Sequence, residues 1–328
     1  MHRLPVQTMK ISVVGPGALG CLLAATLARA GHRVWLIDHR PERARRIVTQ
    51  GITLYDRPDQ PVVVPIQITA DPTQVDKVQI AFLCVKSGAT AQAALTALPS
   101  LTPDGLLISL QNGIAHHAYL IDSPISWALG VTAQGAHLLG EGIVKHGGAG
   151  PTFLGFLGDP GDAAQTQLRI AADLLTEAGI AAGIAENIVA AAWDKLIVNV
   201  GINALTVVEN CPNGDLLDRP NALAALKAAV QEAVLVAKAY GIAISDNQEA
   251  RVLAVCRDTG TNISSMLQDI RAGRPTEIDA LNGEIVRLAD AAGIPTPINA
   301  YLVSAIRASE LKSSTKKLIN QPLRPAQV

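Results

Sequence analysis

Rings, charges and cysteines are all scarce in this chain. Of 328 residues, 3% are aromatic, 17% are charged and four are cysteine, while 49% are hydrophobic. Alanine alone accounts for 51 residues, so the apolar content rests on small and aliphatic side chains. Intrinsic disorder is excluded, because disordered chains are poor in aliphatics and rich in charge. No uninterrupted run of about 18 apolar residues occurs, which argues against a membrane partner. The uncharged stretch from Ser123 to Gly140 is broken by Pro, Gln, His and Thr. The formal net charge is -1, with the signs interspersed apart from a small patch at Arg40–Arg46. That balance argues against a nucleic-acid partner, which would need a cationic surface. Cys21, Cys84, Cys211 and Cys256 are widely separated and form no C-x-x-C pair. They read as small buried hydrophobes of a reduced, cytoplasmic protein. The first ten residues have no apolar core of a signal peptide. Met9 is an alternative start, with residues 1–8 as an extension.

What is present is a strand–helix alternation. Ile11–Val14 is a short apolar run closed by Gly15, and Cys21–Ala30 is apolar, helix-favouring and stopped by Gly31. Val34–Ile37 follows as a second strand. A strand–helix–strand unit of this length implies parallel pairing. Helices are expected over Pro41–Thr49 and Thr90–Leu98. Strands are expected over Val62–Ile68, Val78–Val85, Gly105–Leu110, Trp127–Ala133 and the Gly-rich Ile143–Gly158. This is the pattern of an α/β, Rossmann-type, doubly wound sheet. After Asp162 the strand signals stop. Helices are expected over Asp162–Ala178, Ile188–Val208, Ala222–Tyr240, Asn247–Thr259, Glu277–Ala292 and Asn299–Glu310. The expected organisation is an extension (1–8), a dinucleotide-binding domain (9–183), an all-α domain (184–312) and a tail (313–328).

Gly15-Pro16-Gly17-Ala18-Leu19-Gly20 joins the first strand to the first helix. In a G-x-G-x-x-G turn, the first glycine allows the tight turn and the second lets the backbone approach a pyrophosphate. The third allows close packing of helix on strand, and the phosphates face the helix N-terminus. Asp38, at the end of the second strand, suits the ribose 2′-hydroxyls of NAD. His39, Arg40, Arg43 and Arg45 follow at once and suit the 2′-phosphate of NADP. The two signals conflict, and either group could instead be ordinary surface charge.

In the helical half, Lys195, Asn199 and Asn203 recur every four residues and share one face of an otherwise apolar helix. Buried there, they need partners; the alternative is an exposed polar stripe. Asn262–Asp279 is the second polar segment. There Ser265 could be a cap or loop hydroxyl, and Glu277 could be a first-turn acid of a helix capped by Thr276. The adjacent His116 and His117 do not face each other on a helix. No third ligand accompanies them, and no metal is expected.

Five blocks together resemble the ketopantoate reductase (2-dehydropantoate 2-reductase) family: Gly15–Gly20, Val85-Lys86, Gln111-Asn112-Gly113, Trp193–Asn203 with Asn210–Gly214, and Asn262–Asp279. The resemblance runs from Met9 to about Glu310. It implies a Rossmann domain joined to a helical domain, with the active site in the cleft between them, and NADPH-dependent reduction of 2-dehydropantoate to (R)-pantoate. By this likeness Lys195 resembles the general acid that protonates the substrate carbonyl oxygen. Glu277 resembles the carboxylate that orients it and touches cofactor or substrate. Asn199, Asn203 and Asn213 resemble substrate-side amides, and Ser265 the hydroxyl that holds the substrate carboxylate, with Asn262 nearby. Asn112 resembles an amide shared by nicotinamide ribose and substrate. Lys86 and Ala136 resemble residues beside the cofactor. Where the family often has an arginine for the 2′-phosphate, this sequence has His39 after Asp38, and Arg40 could take that role. NADP is therefore expected, with NAD open because of Asp38.

Two other readings remain. One is a D-2-hydroxyacid dehydrogenase acting on another branched or aromatic 2-oxo acid, with NADH as its donor. The other is a dinucleotide sensor without turnover, which loss of Lys195 or Glu277 would have favoured. The helical half leaves room for a homodimer.

Overall fold

A computed structural model describes residues 8–57, 60–114, 120 and 125–319. Residues 1–7 of the expected extension, the end of the tail from residue 320, and the His116-His117 pair lie outside the described residues.

The chain opens with β1 (Lys10–Val14), α1 (Ala18–Arg29), β2 (Arg33–Ile37) and α2 (Pro41–Gln50). Next come β3 (Ile52–Tyr55), β4 (Val62–Val64), β5 (Gln67–Thr69), β6 (Val78–Leu83), α3 (Thr90–Ala97) and β7 (Leu101–Ser109). They are followed by β8 (Ser126–Thr132), β9 (Gly135–Gly140), β10 (Ile143–Gly148), β11 (Thr152–Gly155), α4 (Asp162–Glu177) and β12 (Ala182–Ile184). Beyond that, the described chain is helical: α5 (Ile188–Glu209), α6 (Pro220–Ala239), α7 (Gln248–Asp258), α8 (Ser265–Arg271), α9 (Asn282–Ala292) and α10 (Pro297–Ile319).

Eight strands form the main sheet in the order β12-β11-β8-β7-β6-β1-β2-β5. All its neighbours pair in parallel except β8 and β11. The central strands are apolar at almost every position because both faces of a parallel sheet are covered. Ile11, Ile80, Phe82, Leu106 and Ile108 are wholly buried. From β1 the sheet grows to one side through β2 and to the other through β6. This reversal places the carboxyl ends of β1 and β6 at the position where open α/β sheets bind ligands.

A second sheet, β4-β3-β10-β9, covers α1 from the other side. That is why α1 is apolar almost all round, with Cys21, Leu22, Leu23, Ala24, Ala25 and Leu27 buried. Each of its buried leucines, Leu22, Leu23 and Leu27, contributes about 1.5–3 kcal/mol. The expected strand Val62–Ile68 is instead two short strands in different sheets. Pro65 stands between them, and a proline cannot donate to a ladder. The expected strand Ile143–Gly158 likewise divides into β10 and β11, separated by Ala149, Gly150 and Pro151.

Two compact units result: Met1–Gln111 with His116–Ala191, and Asn112–Ala115 with Ala192–Val328. The division falls inside α5. Its first residue, Ile188, packs on Gly155 of β11, where a Cβ would come within 2.6 Å of Ile188 Cβ. In the helical unit, α5 buries Trp193, Leu196, Ile197, Val200, Ile202 and Leu205. At Gly201 a side chain would strike Val230 of α6 and Val252 of α7, so this glycine sets a close crossing. By length and composition α5 could also cross a membrane, with a mean hydropathy of 1.4. Here its apolar residues form the core of the unit. The helix expected from Glu277 begins only at Asn282. A single 3-10 turn, Ile278–Ala280, precedes it, and Leu281 (φ −106°, ψ −98°) separates the two. α10 runs to Ile319, beyond its expected end at Glu310.

Candidate active site

The glycine turn does three separate jobs. Gly15 has φ +103°, and a Cβ on it would lie 2.7 Å from Val85 Cγ1 and 3.0 Å from the Cys84 carbonyl oxygen. Gly20 packs still more tightly, because its Cβ would sit 1.9 Å from the Gly15 carbonyl oxygen. Both positions are therefore closed by the protein's own backbone. Gly17 differs. Among the described residues a Cβ there would meet only the Cys84 carbonyl oxygen, at an ordinary 3.8 Å. Gly17 is also the N-cap of α1, and among the described residues no side chain caps the helix. An N-terminus that no side chain caps, reached over a glycine the fold does not sterically require, fits a pyrophosphate. Pro16 is buried in the turn, and Ala18 and Leu19 open the first helical turn.

Asp38 follows β2 directly, with its side chain fully enclosed. Arg43, in the first turns of α2, donates to both of its oxygens, through Nε and Nη2, each at 2.5 Å. The backbone N–H of Arg40 adds a third hydrogen bond at 3.1 Å. By sequence Asp38 suits a ribose, and Arg43 stands with His39, Arg40 and Arg45 as a cation for a 2′-phosphate, either being open to a surface role. The structure pairs them with each other. Arg40 is exposed and lies 3.4 Å from Glu141, while His39 is exposed. Lys86 is exposed just beyond β6, and Ala136 lies in β9 opposite His146.

Gln111 follows β7 and is fixed by Thr90 and Ser109 in a buried hydrogen-bonded set. The next residues, Asn112–Ile114, belong to the helical unit. Gly113 has φ +80°, and a Cβ on it would lie 2.5 Å from the Ala280 carbonyl oxygen. This close approach holds Asn112 against the turn that follows Glu277. Asn112 then bridges two charges. Its Oδ1 accepts from Lys195 Nζ at 2.7 Å, and its Nδ2 donates to Glu277 Oε2 at 3.0 Å. The amide orientation follows from these partners, since an ammonium only donates and a carboxylate only accepts.

Burial lowers the Lys195 ammonium from 10.5 to about 8, and the Glu277 charge opposes part of that shift. An ammonium lowered in this way can release a proton near neutrality. Asn199 follows Lys195 by about one turn and is half-buried, and Asn203 is 7% exposed. Asn213 is buried. Its Nδ2 donates to Thr259 Oγ1, while its Oδ1 has no partner among the described residues. The hydroxyl of Ser265 belongs to an exposed residue, whereas its neighbour Ser264 is buried, caps α8 and bonds Thr206. The cap is thus Ser264, which separates the two serines by role. Thr276 accepts from the Ile278 N–H at the 3-10 turn.

The sequence profile described as "Ketopantoate reductase PanE/ApbA" matches residues 11–159, and its "C terminal" counterpart matches residues 187–310. The chain belongs to the ketopantoate reductase family. Membership makes it a nicotinamide-dependent oxidoreductase. A 2-dehydropantoate 2-reductase of Halobacterium salinarum is 32% identical over 92% of this chain and 99% of its own length. The crystal structure of a PanE/ApbA family ketopantoate reductase from Ralstonia eutropha is 32% identical. It covers 93% of this chain and 99% of its own, with a TM-score of 0.83. A ternary structure of D-mandelate dehydrogenase with NADH and anilino(oxo)acetate is 28% identical over the same shares, with a TM-score of 0.85. Structures named ketopantoate reductase and D-mandelate dehydrogenase are therefore both similar to this chain.

Proposed function

We propose that this protein reduces 2-dehydropantoate to (R)-pantoate with NADPH, in the cytoplasm, supplying pantothenate and coenzyme A synthesis. The observation that carries this reading is the hydrogen-bonded set Lys195–Asn112–Glu277 in a chain of this family. When bound, a reduced nicotinamide supplies the hydride to C2 of the 2-oxo acid. The residues that would hold it are Gly15–Gly20, with Arg40, Lys86, Asn112, Ala136 and Glu277, while Asp38 is taken up by Arg43. Lys195 delivers the proton from Nζ to the carbonyl oxygen, and its positive charge stabilises the alkoxide as it develops. One Nζ–H is spent on Asn112 Oδ1, which fixes the ammonium and leaves two protons for substrate. Glu277 keeps the ammonium protonated against its burial. Asn199, Asn203, Asn213 and Ser265 orient the substrate's hydroxyl and carboxylate.

The acid must be protonated to act. Reduction therefore proceeds at low pH and declines as pH rises through about 8, while alcohol oxidation shows the opposite limb.

The Asp38–Arg43 pair supports NADPH over NADH. With three hydrogen bonds already on its carboxylate, Asp38 neither repels a 2′-phosphate as a bare charge nor waits for a ribose hydroxyl. Arg43→Ala is expected to unmask that charge. Charge-assisted hydrogen bonds contribute about 1.5–3 kcal/mol, so the NADP+/NAD+ affinity ratio should fall roughly 10–100-fold. Titration calorimetry with each dinucleotide reads the change, and an unaltered ratio would refute the role given to Arg43.

A second reading, a D-2-hydroxyacid dehydrogenase for another branched or aromatic 2-oxo acid, is favoured by the likeness to D-mandelate dehydrogenase. A turnover matrix separates the two: NADPH and NADH, each crossed with ketopantoate, 2-oxoisovalerate and phenylglyoxylate. The highest kcat/KM is expected for NADPH with ketopantoate. A higher value with phenylglyoxylate transfers the assignment to the second reading.

A further inference from the structure

Behind the Lys195 site runs a chain of buried polar groups that the reaction does not touch. Asn282, the first residue of α9, is wholly buried, and its Nδ2 donates to the Val200 carbonyl of α5 at 3.1 Å. The same Nδ2 donates to Asn299 Oδ1 of α10 at 2.9 Å. Asn299, also wholly buried, passes the chain on through its own Nδ2 to Glu232 Oε2 (2.6 Å) and the Ala229 carbonyl (3.1 Å) of α6. Glu232 is 8% exposed and accepts the N–H groups of Ile298 and Asn299 in the first turn of α10, each at 2.9 Å. Its charge thus meets a helix N-terminus and an amide.

Such a chain is costly. Asn282 Oδ1 is enclosed and has no partner among the described residues. An orphan of this kind costs about 1–3 kcal/mol, which a leucine at the same place would avoid. The geometry gives the compensation. Asn282 lies five residues after Glu277, across a turn that cannot stretch: the Glu277 carbonyl accepts from the N–H groups of both Ala280 and Leu281. The Ala280 carbonyl in that turn is closed against Gly113, next to Asn112. Val200 lies five residues after Lys195 on α5. A ring therefore closes: Lys195, Asn112, Glu277, the turn, Asn282, the Val200 carbonyl, and back along α5 to Lys195. Every link but one is covalent, helical or part of the reacting set. The exception is the hydrogen bond from Asn282.

We propose that Asn282 is a positioning residue, anchored through Asn299 to Glu232, that fixes the Glu277 carboxylate at its working distance from Lys195. The inference rests on the reading of Lys195 and Glu277 given above. Glu277, Asn112 and Lys195 form the set whose spacing it controls, and Asn282 itself touches no reacting atom.

The test is the pH profile of ketoacid reduction by the full-length holoenzyme. Asn282→Leu keeps the branched heavy-atom skeleton, though with bulkier methyl ends, and removes the hydrogen bonds. Kcat should fall about 10–100-fold, as expected for a misplacement of about 1 Å. The alkaline limb should move down by about one pH unit, because a displaced Glu277 no longer supports the ammonium. Glu232→Gln, which keeps shape and removes charge, should move the limb the same way by less, and it stands in if Asn282→Leu folds poorly. Leu302→Ala, a buried truncation in α10 outside the chain, should lower Tm and leave the limb in place. If Glu277→Gln shifts the limb while Asn282→Leu and Glu232→Gln do not, the positioning role is overturned. If Glu277→Gln leaves the limb unmoved, the reading of the Lys195 site fails instead.

Discussion

Lys195→Ala is expected to lower kcat for 2-oxo acid reduction by about 10²–10⁴-fold, the usual range for a lost general acid. Dinucleotide affinity should stay unchanged. Two effects disappear together. The carbonyl oxygen loses its proton donor, and the developing alkoxide loses a cation in a desolvated setting, where charge is worth more than in water. The alkaline limb near pH 8 should vanish with the side chain, because the group that titrates is gone. Lys195→Arg separates the two contributions. A guanidinium keeps the charge but does not release its proton, so part of the electrostatic help returns without proton transfer. Steady-state kinetics across pH decide the matter, and near-normal turnover by Lys195→Ala would eliminate the proposed acid.

Gly20→Ala should be the most damaging single methyl group in the nucleotide-binding unit. Its Cβ would stand 1.9 Å from the Gly15 carbonyl oxygen and 3.3 Å from Cys84 Cβ, and the nearer atom is backbone that cannot swing aside. Either α1 lifts from the sheet or the turn deforms. Overpacking of this kind costs about 1–3 kcal/mol, occasionally more, so apoprotein Tm should fall by several degrees. Gly17→Ala makes the informative contrast. Its Cβ has room in the protein, so Tm without ligand should hold. The methyl group would occupy the approach to the phosphates, and dinucleotide affinity should drop at least about tenfold, or 1.4 kcal/mol. Thermal melts with and without NADP+ distinguish the packing glycine from the ligand glycine. Equal melting losses in the two apoproteins would contradict that division.

These contrasts also show what was legible in the sequence. The β1–turn–α1–β2 unit is local, so period, glycine spacing and strand-end acid are all visible within about 30 residues. The Lys195 face is legible for the same reason, since its spacing lies within a single helix. The partner relations are not legible. Asn112 meets Glu277 across 165 residues, and no local pattern announces an amide between an ammonium and a carboxylate. Asp38 and Arg43 are five residues apart but lie on a strand end and a helix. The sequence therefore shows an acid beside a cation without saying that they neutralise each other. In the sequence Asn282 falls inside the helix expected over Glu277–Ala292, and only the packing of α5, α9 and α10 reveals its donors in use. The second sheet was missed because its strands are short and its central pairing is between distant segments.

That second sheet also bears on how the chain is made. β3 and β4 can pair with each other early, but β3 gains its other neighbour only when β10 emerges, about 80 residues after β4. At 5–20 residues per second, the interval is roughly 4–16 s. Until then the inner edge of β3 offers open backbone groups beside exposed Val62 and Val63, a template for pairing between nascent chains. Pro61 and Pro65 flank β4 and limit how far such pairing could spread on its outer side. The strand that completes the layer over α1 therefore also closes an edge that is open to such pairing during synthesis.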